Sequence, residues 1–186
     1  MEHFYFTLDG WFDFEDVYIF AVNVAPDIAH FVEVGAFLGK STSFMAVEIA
    51  QSKKDIRFDV IDTWQGSLEH QPGAEHARSE VSDGTLYEQF RRNMKPVAHL
   101  LNPIQASSLE AVKRYKDSSL DFVFLDASHT YEDVKADIQA WKPKIKKGGY
   151  LGGHDFQIDF PGVVQAVQEE IPEYMRLGFS WVTQLK

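Results

Sequence analysis

Short hydrophobic runs alternate with amphipathic segments along most of the chain. Phe31-Val-Glu-Val-Gly35 is rich in β-branched and aromatic residues and ends at a glycine, which predicts a strand buried on both faces. Leu120 to Asp126 carries the clearest signal of this kind. Strands are therefore predicted at 31–35, 57–62, 99–104, 120–126 and 150–154, with a hairpin of two more strands over 174–185.

The segments between these strands have helical periodicity and recognisable end signals. Ser41 or Thr42 could cap the first helix after the glycine that ends the first strand. Ser107 with Glu110 has the spacing of a capping box, and a similar pair begins at Thr130. Helices are therefore predicted at about 42–51, 85–94, 107–116, 131–141 and 163–171.

Strands that alternate with helices of this length predict right-handed βαβ crossovers. The predicted fold class is α/β, with a Rossmann-like, doubly wound, mostly parallel sheet and an antiparallel C-terminal pair. No repeat or linker divides the chain, so we expect one domain over 1–186 that includes an aromatic, partly helical N-terminal segment at 1–28. Ligands bind such sheets beyond the carboxyl ends of the strands, and the residues there are the first candidates for function.

The composition narrows the classes of partner. The 186 residues include 28 acidic and 18 basic side chains, so the formal net charge is −10. This excess of acid repels phosphate backbones, which argues against nucleic acid and favours a small-molecule partner. No apolar stretch is long enough for a membrane span and no secretory signal is recognisable, so we expect a cytoplasmic protein. The absence of cysteine excludes disulfides and thiolate chemistry.

Two glycines follow the first predicted strand, in Glu33-Val-Gly-Ala-Phe-Leu-Gly-Lys-Ser41. Gly35 allows a tight turn, and Gly39 lets backbone amides approach a ligand closely. The spacing matches neither the dinucleotide motif nor a P-loop, which is one residue longer. Asp62 ends the second strand, where an acid can accept both hydroxyl hydrogens of a ribose. Thr63-Trp64 follows, and the indole could pack against an adenine face.

Two aspartates and two histidines follow two predicted strands: Asp126 and His129 after one, His154 and Asp155 after the next. His129 alone could simply pack against the following helix, but all four together are candidate catalytic residues that should converge on one opening. Two chemistries fit them. Asp126 and Asp155 could bind a divalent cation such as Mg²⁺ that lowers the pKa of a substrate hydroxyl, or a histidine could act as general base.

Taken in order, these motifs resemble those of class I S-adenosylmethionine-dependent methyltransferases, in particular a small bacterial and phage-type subgroup with a D-x-x-H-x-Y signature. The resemblance covers residues 10 to 156. It rests on the ordered set Glu33-x-Gly-x-x-x-Gly-x-Ser41, Val60-Ile-Asp62, Asp121 to Tyr131, Lys147-Gly-Gly149 and His154-Asp155. The resemblance implies a seven-stranded sheet with its last strand antiparallel, and S-adenosylmethionine as cofactor.

The resemblance also implies a role for each strand end: the turn from Glu33 to Gly39 would hold the methionine part of the cofactor, Asp62 the ribose, and Ala106 with Ser107 the adenine edge. Catechol-type and macrolide-sugar O-methyltransferases use an aspartate at each of two strand ends, followed by Asn or Asp. Phe156 stands at that following position, which removes an expected third metal ligand. The expected cofactor contacts are Glu33, Gly35, Phe37, Gly39, Ser41, Asp62, Thr63, Trp64, Ala106, Ser107, Asp126 and His129.

The implied activity is methyl transfer to a hydroxyl of a small molecule, a sugar or another polar metabolite, with Mg²⁺ or a His/Asp base activating the acceptor. Non-catalytic binding of an adenosine ligand and a hydroxylase-like reaction on the same fold stay open as alternatives. The polar stretch 64–84 is expected to form a lid over the cofactor, although a surface loop has the same composition. The aromatic N-terminal segment is expected to pack at the sheet edge or at the interface of a homodimer.

Overall fold

A computed structural model describes residues 1–67, 70–74 and 76–186 of the chain. The strands in these residues are β1 (Ile28–Val34), β2 (Asp55–Asp62), β3 (Leu101–Gln105), β4 (Leu120–Leu125), β5 (Ile145–Gly153), β6 (Met175–Leu177) and β7 (Ser180–Gln184). The α-helices are α1 (Glu15–Val24), α2 (Lys40–Ser52), α3 (Ser79–Ser82), α4 (Leu86–Asn93), α5 (Ser108–Ala111), α6 (Tyr131–Trp141) and α7 (Pro161–Glu170).

These strands form a sheet in the order β3-β2-β1-β4-β5-β7-β6. The strands from β3 across to β5 pair in parallel, whereas β7 runs antiparallel to both β5 and β6. The order of the strands reverses between β1 and β4, and this switch point opens a crevice at their carboxyl ends. The predicted α/β fold, mostly parallel with antiparallel strands at the C-terminal end, is confirmed.

Apolar side chains fill both faces of the sheet. Helices α1, α2 and α4 cover one face, where Tyr18, Met45 and Phe90 are buried. Helices α5, α6 and α7 cover the other face around Trp141 and Val167. The central strands β1 and β4 supply side chains to both clusters, which explains why each reads as a continuous hydrophobic run.

The start of α2 differs from the prediction that Ser41 or Thr42 caps it. The N-cap is Gly39, whose φ of 91° lies in the left-handed region. The hydroxyls of Ser41 and Thr42 donate instead to the carboxyl group of Glu33. These bonds satisfy a buried acid, which is more costly to leave unpaired than a backbone amide that starts a helix.

Two other helix starts follow the prediction. Ser107 and Glu110 form the capping box of α5, and the Thr130 hydroxyl accepts the N–H of Asp133 at the start of α6. Helix α5 is nevertheless a single α turn followed by a 3-10 turn, so the helix predicted over 107–116 is too long. It ends where Tyr115 adopts an extended conformation and enters the core.

Strand β5 begins earlier than predicted. The strand was predicted over 150–154, but it already includes Gly148 and Gly149. The pairing of β5 with β4 shifts register between Leu120 and Phe122, and Gly148 has a φ of 84°. The glycines therefore form an irregularity within the strand, which is a usual role of glycine in sheets.

The N-terminal segment packs against the helix layer. The ring of Phe44 in α2 lies 5.2 Å from that of Tyr5 and 5.1 Å from that of Phe12. The segment therefore covers α2 and not the sheet edge, which was one of its two expected places, and its packing at a homodimer interface stays a prediction. No helix in the described part of the chain is long and apolar enough to cross a bilayer.

Candidate active site

The carboxyl ends of β1, β2, β4 and β5 open into one cleft of about 1150 Å³. Its walls are the loops after these strands, the N-terminal residues 9–14 and part of the stretch 64–84. Most of the residues predicted for the site line it: Gly35, Phe37, Ser41, Asp62, Thr63, Ala106, Ser107, Asp126, His129, His154 and Asp155. Three others, Glu33, Gly39 and Trp64, lie behind its wall.

The turn after β1 depends on glycine because two other segments of the same chain lie directly against it. Gly35 has a φ of 94°, and a Cβ atom there would lie 1.9 Å from the backbone oxygen of Asp126. Gly39 has a φ of 91°, and its Cβ would lie 2.6 Å from the Met94 side chain. Gly35 thus brings the turn against the loop that carries Asp126, while Gly39 serves packing under the turn and does not face the cleft.

The carboxylate of Asp62 holds this turn in place. Its Oδ2 accepts hydrogen bonds from the backbone N–H groups of Ala36 and Phe37, both at 2.8 Å. Its Oδ1 accepts the N–H of Trp64 at 2.7 Å. Asp62 therefore joins the loops after β1 and β2, and it does so at the place where it lines the cleft.

Glu33 is a buried anchor for the same turn. The hydroxyl of Tyr18 donates to its Oε1 at 2.6 Å, Ser41 donates to the same oxygen at 2.7 Å, and Thr42 donates to Oε2. Burial raises the pKa of Glu33 to about 7, although these hydrogen bonds oppose the shift. With 1% of its surface exposed, Glu33 supports the turn after β1 from beneath and does not reach the cleft.

Trp64 does not form the adenine-stacking surface that its position in the sequence suggests. Only 4% of its surface is exposed, and its rings pack 4.5 Å from Tyr87 and 4.8 Å from Phe90. Its indole N–H donates to the carbonyl of Phe37 at 3.0 Å. The positive φ of 51° at Trp64 directs the chain so that the indole enters the core and not the cleft.

The four predicted catalytic side chains converge at one end of the cleft. Asp155 touches both histidines: its Oδ2 lies 2.8 Å from His129 Nε2 and its Oδ1 lies 3.3 Å from His154 Nδ1. Asp126 Oδ1 lies 3.7 Å from the same His154 nitrogen. The two strand ends therefore meet as the parallel topology predicts, with Asp155 at the centre of the cluster.

The charges of this cluster perturb one another. Desolvation raises the pKa of Asp126 to about 7, against the effect of His154. Burial favours neutral Asp155 too, but hydrogen bonds with His129 and His154 outweigh it and hold the pKa of Asp155 well below its usual range. Burial would lower the pKa of His154, but Asp155, Asp126 and Asp13 raise it to about 9. At neutral pH, His154 is thus cationic and Asp155 anionic.

Three of these groups could hold a cation. Ligand atoms of Asp126, His154 and Asp155 all lie within 4.8 Å of one another. This set contains both predicted metal ligands and adds His154, whereas Phe156 is buried against Tyr174 and offers no donor. The nitrogen and oxygen donors suit a divalent cation, which would have to displace the proton of His154 because only neutral imidazole coordinates.

An N-terminal strap, residues 9–14, crosses the cleft and reaches the cluster. Asp13 Oδ1 lies 2.7 Å from His154 Nε2, and Asp9 Oδ2 lies 2.7 Å from Arg78 Nη1 on the far side. Trp11 lies between these two contacts and lines the cleft. Sequence reasoning missed Asp13, because no spacing rule connects residue 13 with residue 154 and its aromatic neighbours indicate packing only.

The described residues of the stretch 64–84 lie beside this strap. His70 and His76 line the cleft, and the His70 ring lies 4.9 Å from that of Phe37 and 5.6 Å from that of Trp11. Residues 68, 69 and 75 of this stretch lie outside the described residues.

Comparison with proteins of known sequence gives two matches. A family model described as a methyltransferase domain matches residues 32–156. The uncharacterized protein y4gI of Sinorhizobium fredii is 27% identical over 127 residues, which are 68% of this chain. The chain spans only 13% of the length of that curated relative.

Solved structures share the fold. The O-methyltransferase NovP superposes with a TM-score of 0.70 at 17% identity, over 92% of this chain and 79% of NovP. CalS11, a TDP-rhamnose 3'-O-methyltransferase, superposes with a TM-score of 0.61 at 14% identity, over 91% of this chain and 76% of CalS11. At these identities, the likeness shows the fold alone. Because the family model covers more than half of its residues, the chain belongs to the methyltransferase domain family.

Proposed function

We propose that this protein is an S-adenosylmethionine-dependent methyltransferase whose acceptor is a hydroxyl of a small molecule, a sugar or another polar metabolite. One observation carries the proposal: the glycine turn and the Asp/His cluster meet in one cleft, where Gly35 packs directly against the backbone of Asp126. A methyl donor on the turn would therefore lie next to groups able to take a proton.

The cofactor lies along the strand ends in this proposal. Gly35, Phe37 and Ser41 face its methionine part, Asp62 and Thr63 its ribose, and Ala106 with Ser107 its adenine. All of these residues line the cleft, as do Asp126 and His129. Glu33, Gly39 and Trp64 act from behind by holding the turn. The strap and the stretch 64–84 close the cleft against water.

The reaction is an in-line displacement. The acceptor oxygen forms a bond to the methyl carbon while the carbon–sulfur bond breaks, so the sulfonium becomes a neutral thioether and the hydroxyl proton leaves to a base. Asp126 is the base that fits best, because its pKa of about 7 suits proton transfer near neutral pH. Asp155 positions His129 and His154, and the cationic His154 favours the ionised form of Asp126.

A divalent cation held by Asp126, His154 and Asp155 is the second way to activate the acceptor. When bound, such an ion would act as a Lewis acid and lower the pKa of the acceptor hydroxyl. The same three residues would then give up their contacts with one another. Both versions need Asp126 and Asp155, and the two differ in their response to a chelator.

The acceptor end of the cleft suits a polar molecule with an apolar face. Phe160 lies 4.4 Å from the ring of His129, and Phe179 and Gln157 line the same end. Aromatic rings beside amide and carboxylate groups provide stacking and hydrogen bonds together, which is what a sugar ring needs. That CalS11 is named for a sugar acceptor is in line with this choice.

The test is calorimetric titration of S-adenosylmethionine, with Mg²⁺ and again with EDTA, followed by transfer of labelled methyl groups to a panel of sugars and catechols. We expect micromolar binding, and we expect Asp126→Ala to keep affinity within a few-fold while it abolishes transfer. Asp117→Ala is the matched control, because Asp117 is exposed and pairs with Lys144.

Each outcome has a definite meaning. Absence of binding in both conditions would refute the cofactor assignment. Binding without transfer to any acceptor would favour the non-catalytic adenosine-ligand binder, and an oxidised product would favour the hydroxylase-like alternative. Transfer that EDTA abolishes and Mg²⁺ restores would select the cation, whereas transfer that is insensitive to EDTA would select Asp126 as base.

A further inference from the structure

Asp137 is a buried acid that the proposed chemistry does not use. It lies on α6 with 7% of its surface exposed, and it lines the cleft. Its hydrogen-bonding partner is the Ser108 hydroxyl, which also accepts the indole N–H of Trp141 at 2.8 Å. Asp133, one turn earlier on the helix, carries a charge of the same sign. Its repulsion also raises the pKa of Asp137.

A second buried aspartate shows what a purely structural acid looks like in this molecule. Asp59 is fully buried, and it is bonded by His30, Arg57 and Asn102 as well as by the hydroxyl of Tyr115. Burial alone would raise the pKa of Asp59, but these bonds outweigh it and hold the pKa well below its usual range. The fold thus compensates Asp59 completely.

The described residues supply no comparable set of partners for Asp137. Burial raises its pKa to about 6, and the single hydroxyl of Ser108 opposes that shift only in part. A carboxylate that is withdrawn from water without a cation or several donors lowers stability. Since Asp137 also faces the cleft, a donor on the bound ligand would supply what the fold does not.

The walls around Asp137 indicate which part of the ligand that donor belongs to. Ser107, Ser108 and Leu109, at the start of α5, line the cleft together with Asp133 and Asp137 of α6. The proposed function, on which this inference rests, places adenine against Ala106 and Ser107. Adenine carries one exocyclic amine, and its other polar edge atoms are acceptors that a carboxylate would repel.

We propose that the Asp137 carboxylate accepts a hydrogen bond from the exocyclic amine of the cofactor's adenine, and that it thereby determines base specificity. A 6-oxopurine would place a carbonyl oxygen where the amine donates, so two acceptors would face each other in a buried place. The site therefore selects a 6-aminopurine. In the complex, the adenine amine completes the hydrogen bonding of Asp137.

The experiment compares S-adenosylhomocysteine with S-inosylhomocysteine, whose bases differ in the group at position 6 and in the proton that the 6-oxopurine carries on the adjacent N1. Calorimetry gives both affinities for the wild-type chain and for Asp137→Asn. The wild type should prefer the adenosyl compound by at least about tenfold. The variant should reduce that preference to within about threefold, because an amide can turn either its oxygen or its N–H toward the base.

Two control variants separate recognition from packing. Asp59→Asn removes the charge of a buried acid that does not line the cleft, so it should lower the Tm but keep the tenfold preference. Asp117→Asn removes an exposed acid that pairs with Lys144 outside the cleft, and it should also keep the preference. If Asp137→Asn fails to fold, Asp137→Ser provides the same comparison with a side chain that can both donate and accept.

The affinity ratio decides the question. If Asp137→Asn lowers the Tm and weakens both ligands equally, the role of Asp137 is structural and the inference is wrong. A wild-type preference below about threefold would overturn it as well. If neither compound binds to the wild type, the cofactor assignment itself fails, and that outcome is distinct from tight binding of both compounds.

Discussion

At the scale of single residues, Asp62 has a structural role that its position at a strand end does not indicate. One carboxylate accepts three backbone N–H groups from two loops, and these loops form the floor of the cleft. Hydrogen bonds to a charged acceptor are worth about 1.5–3 kcal/mol each, so their loss would release both loops. If a substitution of Asp62 changes cofactor affinity, the change would therefore have two parts: the loss of a direct contact with the cofactor, and the movement of the two loops that Asp62 holds in place.

We predict that Asp62→Ala weakens the binding of S-adenosylmethionine by more than about tenfold, which is about 1.4 kcal/mol. The reason is that the variant loses a ribose acceptor and also the link between the loops after β1 and β2. Calorimetric titration measures the change, with Asp117→Ala as control for the loss of an exposed carboxylate. Affinity within twofold of the wild type would show that Asp62 neither contacts the ribose nor sets the shape of the turn.

At the scale of elements, the proposed active site depends on a close approach between the turn after β1 and the loop after β4. Gly35 permits this approach for two reasons: it adopts a positive φ without strain, and it has no side chain that would clash with the loop after β4. Gly73 offers a matched comparison, since its φ of 88° is similar but, apart from its two neighbours in the chain, no atom of the described residues lies within 4 Å of the position of its Cβ. The two glycines separate the cost of backbone strain from the cost of a steric clash.

We predict that Gly73→Ala lowers the free energy of unfolding by about 1 kcal/mol, which is the cost of a left-handed conformation. Gly35→Ala should lower it by more than about 3 kcal/mol, because its Cβ also meets the backbone oxygen of Asp126. Urea denaturation of both variants provides the measurement. Equal losses would contradict the close approach of the two loops.

Local signals predicted these elements well where the chain itself supplies the partner. The capping box of α5 joins Ser107 to Glu110, and the cap of α6 joins Thr130 to Asp133, within a few residues in each case. The cap of α2 was wrong because a residue of β1, Glu33, takes the hydroxyls that the local pattern offers to the helix. Competition from a distant partner leaves no trace in local spacing.

At the scale of the whole molecule, buried acids make stability depend on pH. Burial raises the pKa of Glu33 from its ordinary value near 4.5 to about 7, so the folded state binds a proton that the unfolded state has released between these values. The stabilisation from the protonated carboxyl is complete below pH 4.5. It declines as the pH rises to about 7 and is lost above that.

We predict that Glu33→Gln removes this part of the pH dependence. The free energy of unfolding of the wild type should fall relative to that of the variant by on the order of 3 kcal/mol between pH 4.5 and 8. Urea denaturation at several pH values measures the difference, and the subtraction cancels the other titrating groups. Glu88→Gln, at an exposed position paired with Arg92, is the control and should run parallel to the wild type. Parallel curves for Glu33→Gln would show that Glu33 is ionised in the folded state.

The sequence by itself determined the class of fold, the order of its strands and helices, and the strand ends at which functional groups collect. Hydrophobic periodicity and glycine positions are local properties, and parallel topology then brings the carboxyl ends of strands to one edge. For this reason Asp126, His129, His154 and Asp155 could be expected together although 29 positions separate the first from the last.

The tertiary structure alone decided how each side chain is used. It turns Trp64 into the core, places Glu33 under three hydroxyls, and brings Asp13 to His154 and Asp137 to the cleft wall. The physical reason is that burial and partnership depend on atoms that are distant along the chain. Spacing along a sequence indicates which end of the sheet a residue reaches, but packing determines whether its side chain faces the ligand or supports the residue that does.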